Sequence, residues 1–514
     1  MKSLLNLCLS YVCDNFDLVG SRTENLPPEC RSWLLDWLVA HDLMREQTVQ
    51  STICRAQYLA GLRSVSFYMS DEITDSLLSL IGRVNANLGH ISIVHCANVT
   101  DIGVRDLTGP QKSLQRLELR GLGDLSRHGL MDLSSSLLSS VDLSDCPSIC
   151  SRAIAGLIAL NPNIERLSLN GCVGIKDVAI YAIGACLGHC LRALEMDFLQ
   201  LSEPTLALNY LSEHCPRLQQ LSLCNYFTKL SIADSLQFSC SIRSLELREI
   251  DLYGNYLSIL PVLPENVKSL RLSCCGSENV RSMAQTLSSL PHLSSLKLAM
   301  RCLENSPEGI ADANAFLSFL VPKFGSQITA LQIAMPKLDE ETLKLILENC
   351  DRLKLISLHV ISISCVLLAQ LFQDPQRCKS LRSVKLHQLR LPHKSLVTIA
   401  KGCPYLEELQ ASFMPCVDDR FLRQIAWNCP KLRCLNVNGC QWVTDKGVCE
   451  VARHCRLREI RLRGTQATDK CVYALAQCCP DLEWISHADF SGKPVFSSEA
   501  LAVLKSSCVQ RVIC

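Results

Sequence analysis

Four His-Cys dipeptides stand in the chain: His95-Cys96, His189-Cys190, His214-Cys215 and His454-Cys455. A histidine next to a thiol can make a cysteine nucleophile, provided the two groups meet in space. Neighbours on a strand point to opposite sides, so adjacency in sequence does not create that contact. Two Cys-Cys pairs, Cys274-Cys275 and Cys478-Cys479, raise the question of a metal. A tetrahedral site needs two more ligands, and no paired Cys-x-x-Cys spacing supplies them. No phosphate-binding loop, Gly-x-Ser-x-Gly, His-Glu-x-x-His or dinucleotide fingerprint occurs. The expectation is a chain without catalysis, metal or cofactor, whose histidines and cysteines have other work.

The elements that hold these residues follow from composition and periodicity. The chain has 514 residues, which suggests about three ordinary domains of roughly 150 residues unless the architecture is repetitive. Lys and Arg number 51 against 50 Asp and Glu, and no long run of one sign occurs. A general electrostatic grip on nucleic acid or on an anionic membrane is not expected. No apolar run approaches the roughly 18 residues of a membrane span. The 31 cysteines form an odd, dispersed set, a poor disulfide framework that points to a reducing compartment, cytoplasm or nucleus.

The string LxxLxL recurs throughout, as in LQRLEL from Leu114, IERLSL from Ile164, LQQLSL from Leu218, LRSVKL from Leu381 and LREIRL from Leu457. With weaker copies, starts fall at Leu62, Leu88, Leu114, Leu138, Ile164, Leu191, Leu218, Ile242, Val267, Leu293, Ile328, Leu353, Leu381, Leu406, Leu432, Leu457, Leu482 and Val509. Most steps are 24 to 28 residues, and the one from Leu293 to Ile328 is 35. In IERLSLNGC, Leu167 and Leu169 alternate inward from a short strand. The following Val178, Ile180, Ile183 and Leu187 have helical spacing. Strand, turn, helix and return make one coil. The predicted fold class is α/β: a leucine-rich-repeat solenoid of about 17 to 18 coils over residues 61–514, with a parallel concave sheet and convex helices, behind a helical module at 1–60. Seventeen strand spacings give a concave strip of roughly 80 Å.

The cysteines fit this register. Cys96, Cys146, Cys172 and Cys440 follow the strand at a fixed offset, and Cys215, Cys350, Cys378, Cys403, Cys429 and Cys479 each precede a repeat start by three residues. These repeats resemble the cysteine-containing leucine-rich repeats of F-box-type and related ubiquitin-ligase receptors, most closely in GCQWVTDKGVCEVARHC from Gly439 to Cys455.

Function is expected on the concave face, where exposed side chains alternate with the buried ones. Glu459, Arg461, Arg463, Trp484 and Asn436 are the tentative substrate-binding residues, because Arg and Trp are enriched where binding energy concentrates. The same residues could instead cap the end of the solenoid. The insertion RCLENSPEGIADANAF, Arg301 to Phe316, is expected as a loop at a rim.

The first sixty residues lack the repeat. Helices are expected at about 3–16, 28–40 and 46–60, with a polar link DLVGSRTEN after the first. The apolar opening could be a secretion signal, a core helix or a docking segment. Asn6 and Ser10 interrupt it and no small-x-small cleavage site follows, which disfavours the signal. Leu4, Cys8 and Val12 recur every fourth residue on one narrow helix face, a stripe suited to a partner's groove. SLLNLCLSYV matches the elongin-C-binding box, within about 3–14, and LPPECRSWL matches a cullin-2 box, within about 26–40, through Leu26, Pro27, Cys30 and Leu34. Together they resemble a von Hippel–Lindau box, and the region is similar to the N-termini of the zyg/zer-type leucine-rich-repeat receptors. The resemblance implies elongin C, elongin B and cullin-2 with its RING-box subunit as partners, and a protein substrate on the repeats. The chain departs from those relatives in having many more repeats and no armadillo-like domain after them. LPPECRSWLLDWL also resembles the start of an F-box, which would dock on a Skp adaptor instead, and a repeat scaffold with no ligase partner is a third reading.

Overall fold

A computed structural model describes the chain except residues 1–7, 10, 13–15, 41–46, 227–236, 238–239, 244, 254, 256–262, 275–286, 288–289, 301–306, 374, 487–488, 492 and 509–514. The chain forms two units, Lys2–Val267 and Lys268–Cys514. In the first, the strands Ser64–Tyr68, His90–Val94, Arg116–Arg120, Ser140–Asp142, Arg166–Ser168, Ala193–Glu195, Gln220–Ser222 and Glu249–Leu252 pair successively in parallel. In the second, Ser269–Cys274, Ser295–Met300, Ala330–Lys337, Leu355–Ser362, Ser383–His387, Glu408–Ser412, Cys434–Asn436, Glu459–Arg461 and Trp484–Ile485 do the same. Every pairing joins neighbours in sequence, with equivalent apolar residues side by side, as in Leu117 with Val141 and Leu167 with Leu194. The fold is a leucine-rich-repeat solenoid.

One expected start is displaced. Gln220, two residues after Leu218, pairs with Glu249, so that coil begins at Leu247 and not at Ile242. LREIDLYGN from Leu247 carries the full pattern, ending in Asn255. Ile242 and Leu245 are buried just ahead of it. The insertion also differs from a loop: Pro307–Phe324 is an 18-residue helix that buries Phe316, Leu317 and Leu320, and residues 301–306 lie outside the described ones. Length went into the coil's helix because the apolar residues there have helical spacing.

Three kinds of rung tie coil to coil. Just after the strand, Cys146, Cys172 and Cys440 donate their thiols back to the carbonyls of Leu119, Leu143 and Ala411 at 3.2, 3.0 and 2.9 Å. Asn255 makes the same contact to Leu223 at 2.7 Å. Before the strand, Asn85, Gln111 and Asn161 carry buried amides that donate to Leu59, Asn85 and Leu133 carbonyls at 2.7, 2.6 and 2.9 Å. In the second unit thiols take that place: Cys429, Cys455, Cys479 and Cys508 donate to the carbonyls of Cys403, Cys429, Cys455 and Cys479. At the helix N-termini, Asp75 accepts from the backbone and hydroxyl of Thr100 in the next coil, and Asp419 and Asp445 accept likewise from Thr444 and Thr468.

The residue seven after the start is left-handed in many coils, whatever its type: Met69, His95, Asp145, Phe198, Asn225, Gln388 and Phe413, with Gly121, Gly171, Gly439 and Gly464. The conformation turns its N–H onto the next coil. Met69 donates to Val94, His95 to Arg120 and Phe413 to Asn438. The strands Ala330–Lys337 and Leu355–Ser362 run straight through this position and bury Met335 and Val360 there instead.

Candidate partner-binding surfaces

The N-terminal module forms around three buried side chains, Leu9, Cys30 and Leu34, with Val12, Leu26 and Trp33 packed against them. The helix Pro28–Ala40 begins where expected, with Pro28 in its first turn. Arg31 is buried and fixes that helix to the chain ahead of the first repeat: Nε donates to the Leu26 carbonyl at 2.9 Å, and Nη1 to the carbonyls of Gln57, at 2.6 Å, and Tyr58. The expected polar link is ordered instead as the helical turn Phe16–Val19 and the 3-10 turn Gly20–Asn25, closed by the Thr23 hydroxyl on the Gly20 carbonyl at 2.5 Å.

Cys8 is exposed and Tyr11 is 63 % exposed, whereas Leu9 is buried and Val12 is partly buried. Leu4 lies outside the described residues. Of the four residues proposed for cullin contact, Pro27 is exposed and Leu26 half-buried. Cys30 and Leu34 face inward and hold the first helical segment on the second. Apolar spacing alone does not distinguish a face covered by the chain itself from one awaiting a partner. Leu9 and Arg31 were not picked out from the sequence; the i, i+3 step from Leu9 to Val12 was the available sign of an inward face.

In the second unit, the tentative substrate residues do come together on the concave face. Arg461 pairs with Glu459 at 2.5 Å and its guanidinium lies 4.9 Å from the Trp484 ring centroid. Lys385 pairs with Glu408 at 2.8 Å, and the Ser383 hydroxyl donates to that carboxylate at 2.6 Å. Burial works to raise the Glu408 carboxyl pKa, but the bonds from Lys385 and Ser383 outweigh it and hold the carboxyl below its ordinary value. The Asn436 Oδ1 accepts the Asn438 N–H at 3.1 Å, and the Asn438 Oδ1 accepts the Arg463 N–H at 2.9 Å.

Beside them runs an aromatic ridge that sequence pattern did not single out. His359 meets His387 edge-on at 4.5 Å, His387 meets Phe413 at 5.4 Å, and Phe413 stacks on Phe490 at 5.4 Å. Glycine makes the stacking possible. A Cβ on Gly439 would stand 2.4 Å from Phe413, and one on Gly464 2.5 Å from Phe490. Trp442 is exposed, in a bridge with Asp418.

The His-Cys pairs separate as strand and helix geometry requires. The His214 and His454 Nδ1 atoms meet the carbonyls of Tyr210 and Glu450, at 2.8 and 2.9 Å, and Cys215 and Cys455 are buried. Burial pushes both thiols up to about 12, the wrong direction for a nucleophile. Among the described residues no group of three His, Cys, Asp or Glu could hold a metal, every cysteine is a free thiol, and no helix is long and apolar enough to cross a membrane. Cys275 lies outside the described residues.

No family model matches the chain. Over 167 residues it is 27 % identical to the F-box/LRR-repeat protein 4 of Bos taurus, covering 31 % of this chain and 26 % of that one. Over 335 residues it is 23 % identical to the DNA repair protein RAD7 of Saccharomyces cerevisiae, covering 63 % of this chain and 58 % of that one. The matched stretches thus span about a quarter and somewhat over half of these curated relatives. Among solved structures, the yeast Rad7 and Elc1 complex has a chain similar to this one at a TM-score of 0.45 and 16 % identity, over 84 % of this chain and 90 % of that one.

Proposed function

We propose that this chain is a non-catalytic substrate receptor of a ubiquitin ligase: residues 1–60 dock on elongin C with elongin B and on cullin-2 with its RING-box subunit, and the repeats of 61–514 hold the target protein. The observation that carries this reading is the exposed Cys8 on a helical turn whose neighbour Leu9 is pinned to Cys30 and Leu34. A face that leaves a small thiol and Tyr11 outside, on a backing fixed by Arg31, suits an apolar groove in a partner. Pro27 is the exposed candidate for the cullin contact, and Cys30 and Leu34 serve by setting the angle between the two helical segments. The chemistry is left to the ligase partners. The free thiols favour a reducing compartment, cytoplasm or nucleus, for this work.

A second reading, an F-box-type receptor docking on a Skp adaptor through Leu26 to Leu34, is favoured by the bovine relative, whose name joins an F-box to leucine-rich repeats. Affinity purification of the tagged chain separates the two. Elongin C is expected with the wild type and lost with Leu4→Ala/Cys8→Ala. Recovery of a Skp adaptor in its place, or elongin C retained by the double variant, overturns the proposal.

A further inference from the structure

We infer that the concave end of the unit Lys268–Cys514 seats an extended protein segment, taking an aspartate or glutamate carboxylate on Arg463 and the apolar side chain two residues from it against Phe413 and Phe490. Three cations beside the site have partners within the chain, and the Asp489 Oδ1 next to Phe490 accepts from Ser491 and from the Lys493 N–H. Lys385 holds Glu408, Arg461 holds Glu459 and stacks on Trp484, and Arg458 meets Glu483 at 3.7 Å. Arg463 is exposed, and its guanidinium has no ion pair or hydrogen bond among the described residues. The amides beside it are oriented by their own backbone. Asn436 and Asn438 each commit Oδ1 to a backbone N–H, and neither Nδ2 has a hydrogen bond among the described residues, which leaves each as an available donor. The guanidinium and the two Nδ2 groups therefore offer donors that complement a carboxylate.

The apolar half of the seat adjoins the polar half. Gly439 follows Asn438 and Gly464 follows Arg463, and the Gly439 N–H donates to the Arg463 carbonyl at 2.6 Å. The rings of Phe413 and Phe490 lie over these two glycines and stay 42 % and 56 % exposed. The glycines, at left-handed φ of +72° and +68°, carry no Cβ to push the rings away. Side chains two residues apart in an extended segment share a face at roughly 6.6 Å, so a carboxylate and the side chain two residues from it span the two halves.

The inference deepens the receptor reading, on which it relies only for calling the bound segment a substrate. The test uses the full chain without adaptors, so that the two readings fail separately. The probes are fluorescein-labelled octapeptide pools, N-acetylated and C-amidated, with Asp and, two residues on, Phe fixed near the centre (the Asp-Phe pool) and the other positions random, the same spacing being kept in every matched pool. Matched pools carry Asn-Phe or Lys-Phe, and one carries Asn-Phe with a free C-terminal carboxylate. By fluorescence polarisation the Asp-Phe pool is expected to bind at least about tenfold tighter than Asn-Phe, the size of one charge-assisted hydrogen bond. Arg463→Gln should erase that preference, Phe413→Ala should weaken both pools, and Arg453→Gln, on a convex helix, should change neither. Circular dichroism melts verify that the variants fold. Equal binding of the Asp-Phe and Asn-Phe pools overturns the inference, as does a preference unchanged by Arg463→Gln. Tightest binding by the free C-terminal carboxylate overturns the side-chain assignment.

Discussion

The thiol of Cys172 donates to the carbonyl of Leu143, one coil back, at 3.0 Å, in the same place where Asn255 donates to Leu223 at 2.7 Å. Both are fully enclosed, so the carbonyl has no water to fall back on. Cys172→Ala should lower unfolding stability by about 1–2 kcal/mol, from the lost donor and a small cavity. Cys172→Ser, which keeps a donor of similar size, should cost less. Urea unfolding followed by circular dichroism measures both, and equal losses would show that the donor contributes nothing.

Asn161 is the stronger rung. Its Nδ2 donates to the Leu133 and Leu157 carbonyls at 2.9 and 2.8 Å, and its Oδ1 accepts the Ser135 N–H at 2.8 Å. Asn161→Leu conserves volume and removes all three contacts. A loss of about 2–4 kcal/mol is expected from the backbone groups left buried, measured by the same unfolding curve.

Burial drives the Cys429, Cys455 and Cys479 thiols up to about 12, 12 and 11. At pH 8 they should resist iodoacetamide in the native chain and react once it is unfolded, while the exposed Cys8 and Cys240 react first. Mass spectrometry of labelled peptides over time reads the order. Native-state labelling of Cys455 at the rate of Cys8 would contradict the buried ladder.

His387 has its pKa lowered, first by burial and then by His359 beside it. The fold therefore disfavours its protonated form. The associated stability is fully present above the unfolded value near 6.5 and declines as pH falls from there through the lowered folded value. The melting temperature should drop on acidification over that window, and His387→Gln should flatten this part of the profile. An unchanged slope in the variant would assign the effect to other groups.

Gly439→Ala should strain the left-handed turn and displace Phe413, because φ is +72° and the new Cβ falls 2.4 Å from its ring. A stability loss of about 1–2 kcal/mol is expected. Phe413 should also become more mobile, visible as altered ring resonances in NMR of phenylalanine-labelled chain.

The repeat was legible because leucine spacing encodes both coil length and strand facing. The exception at Leu247 shows the limit. IRSLEL and LREIDL overlap at that residue and both satisfy the pattern, and the pairing of Gln220 with Glu249 selects the second. The left-handed position was invisible, since methionine, histidine, aspartate and phenylalanine all occupy it and the next coil's carbonyl dictates the conformation. The concave candidates Glu459, Arg461 and Trp484 were readable from alternation. Their mutual pairing, which leaves Arg463 without an ion pair among the described residues, depends on side-chain reach that spacing does not carry. Cys30 and Leu34 were readable as apolar, and only the packed module shows that they face Leu9.

The thiol rungs from Cys429 to Cys508 each join one coil to the preceding one. Pulled by its C-terminus, that stretch would give way as a zip fastener does, tooth by tooth, each release lengthening the chain by one coil while those behind stay closed. A motor that threads polypeptide from that end would meet a series of small, similar barriers rather than a single large one.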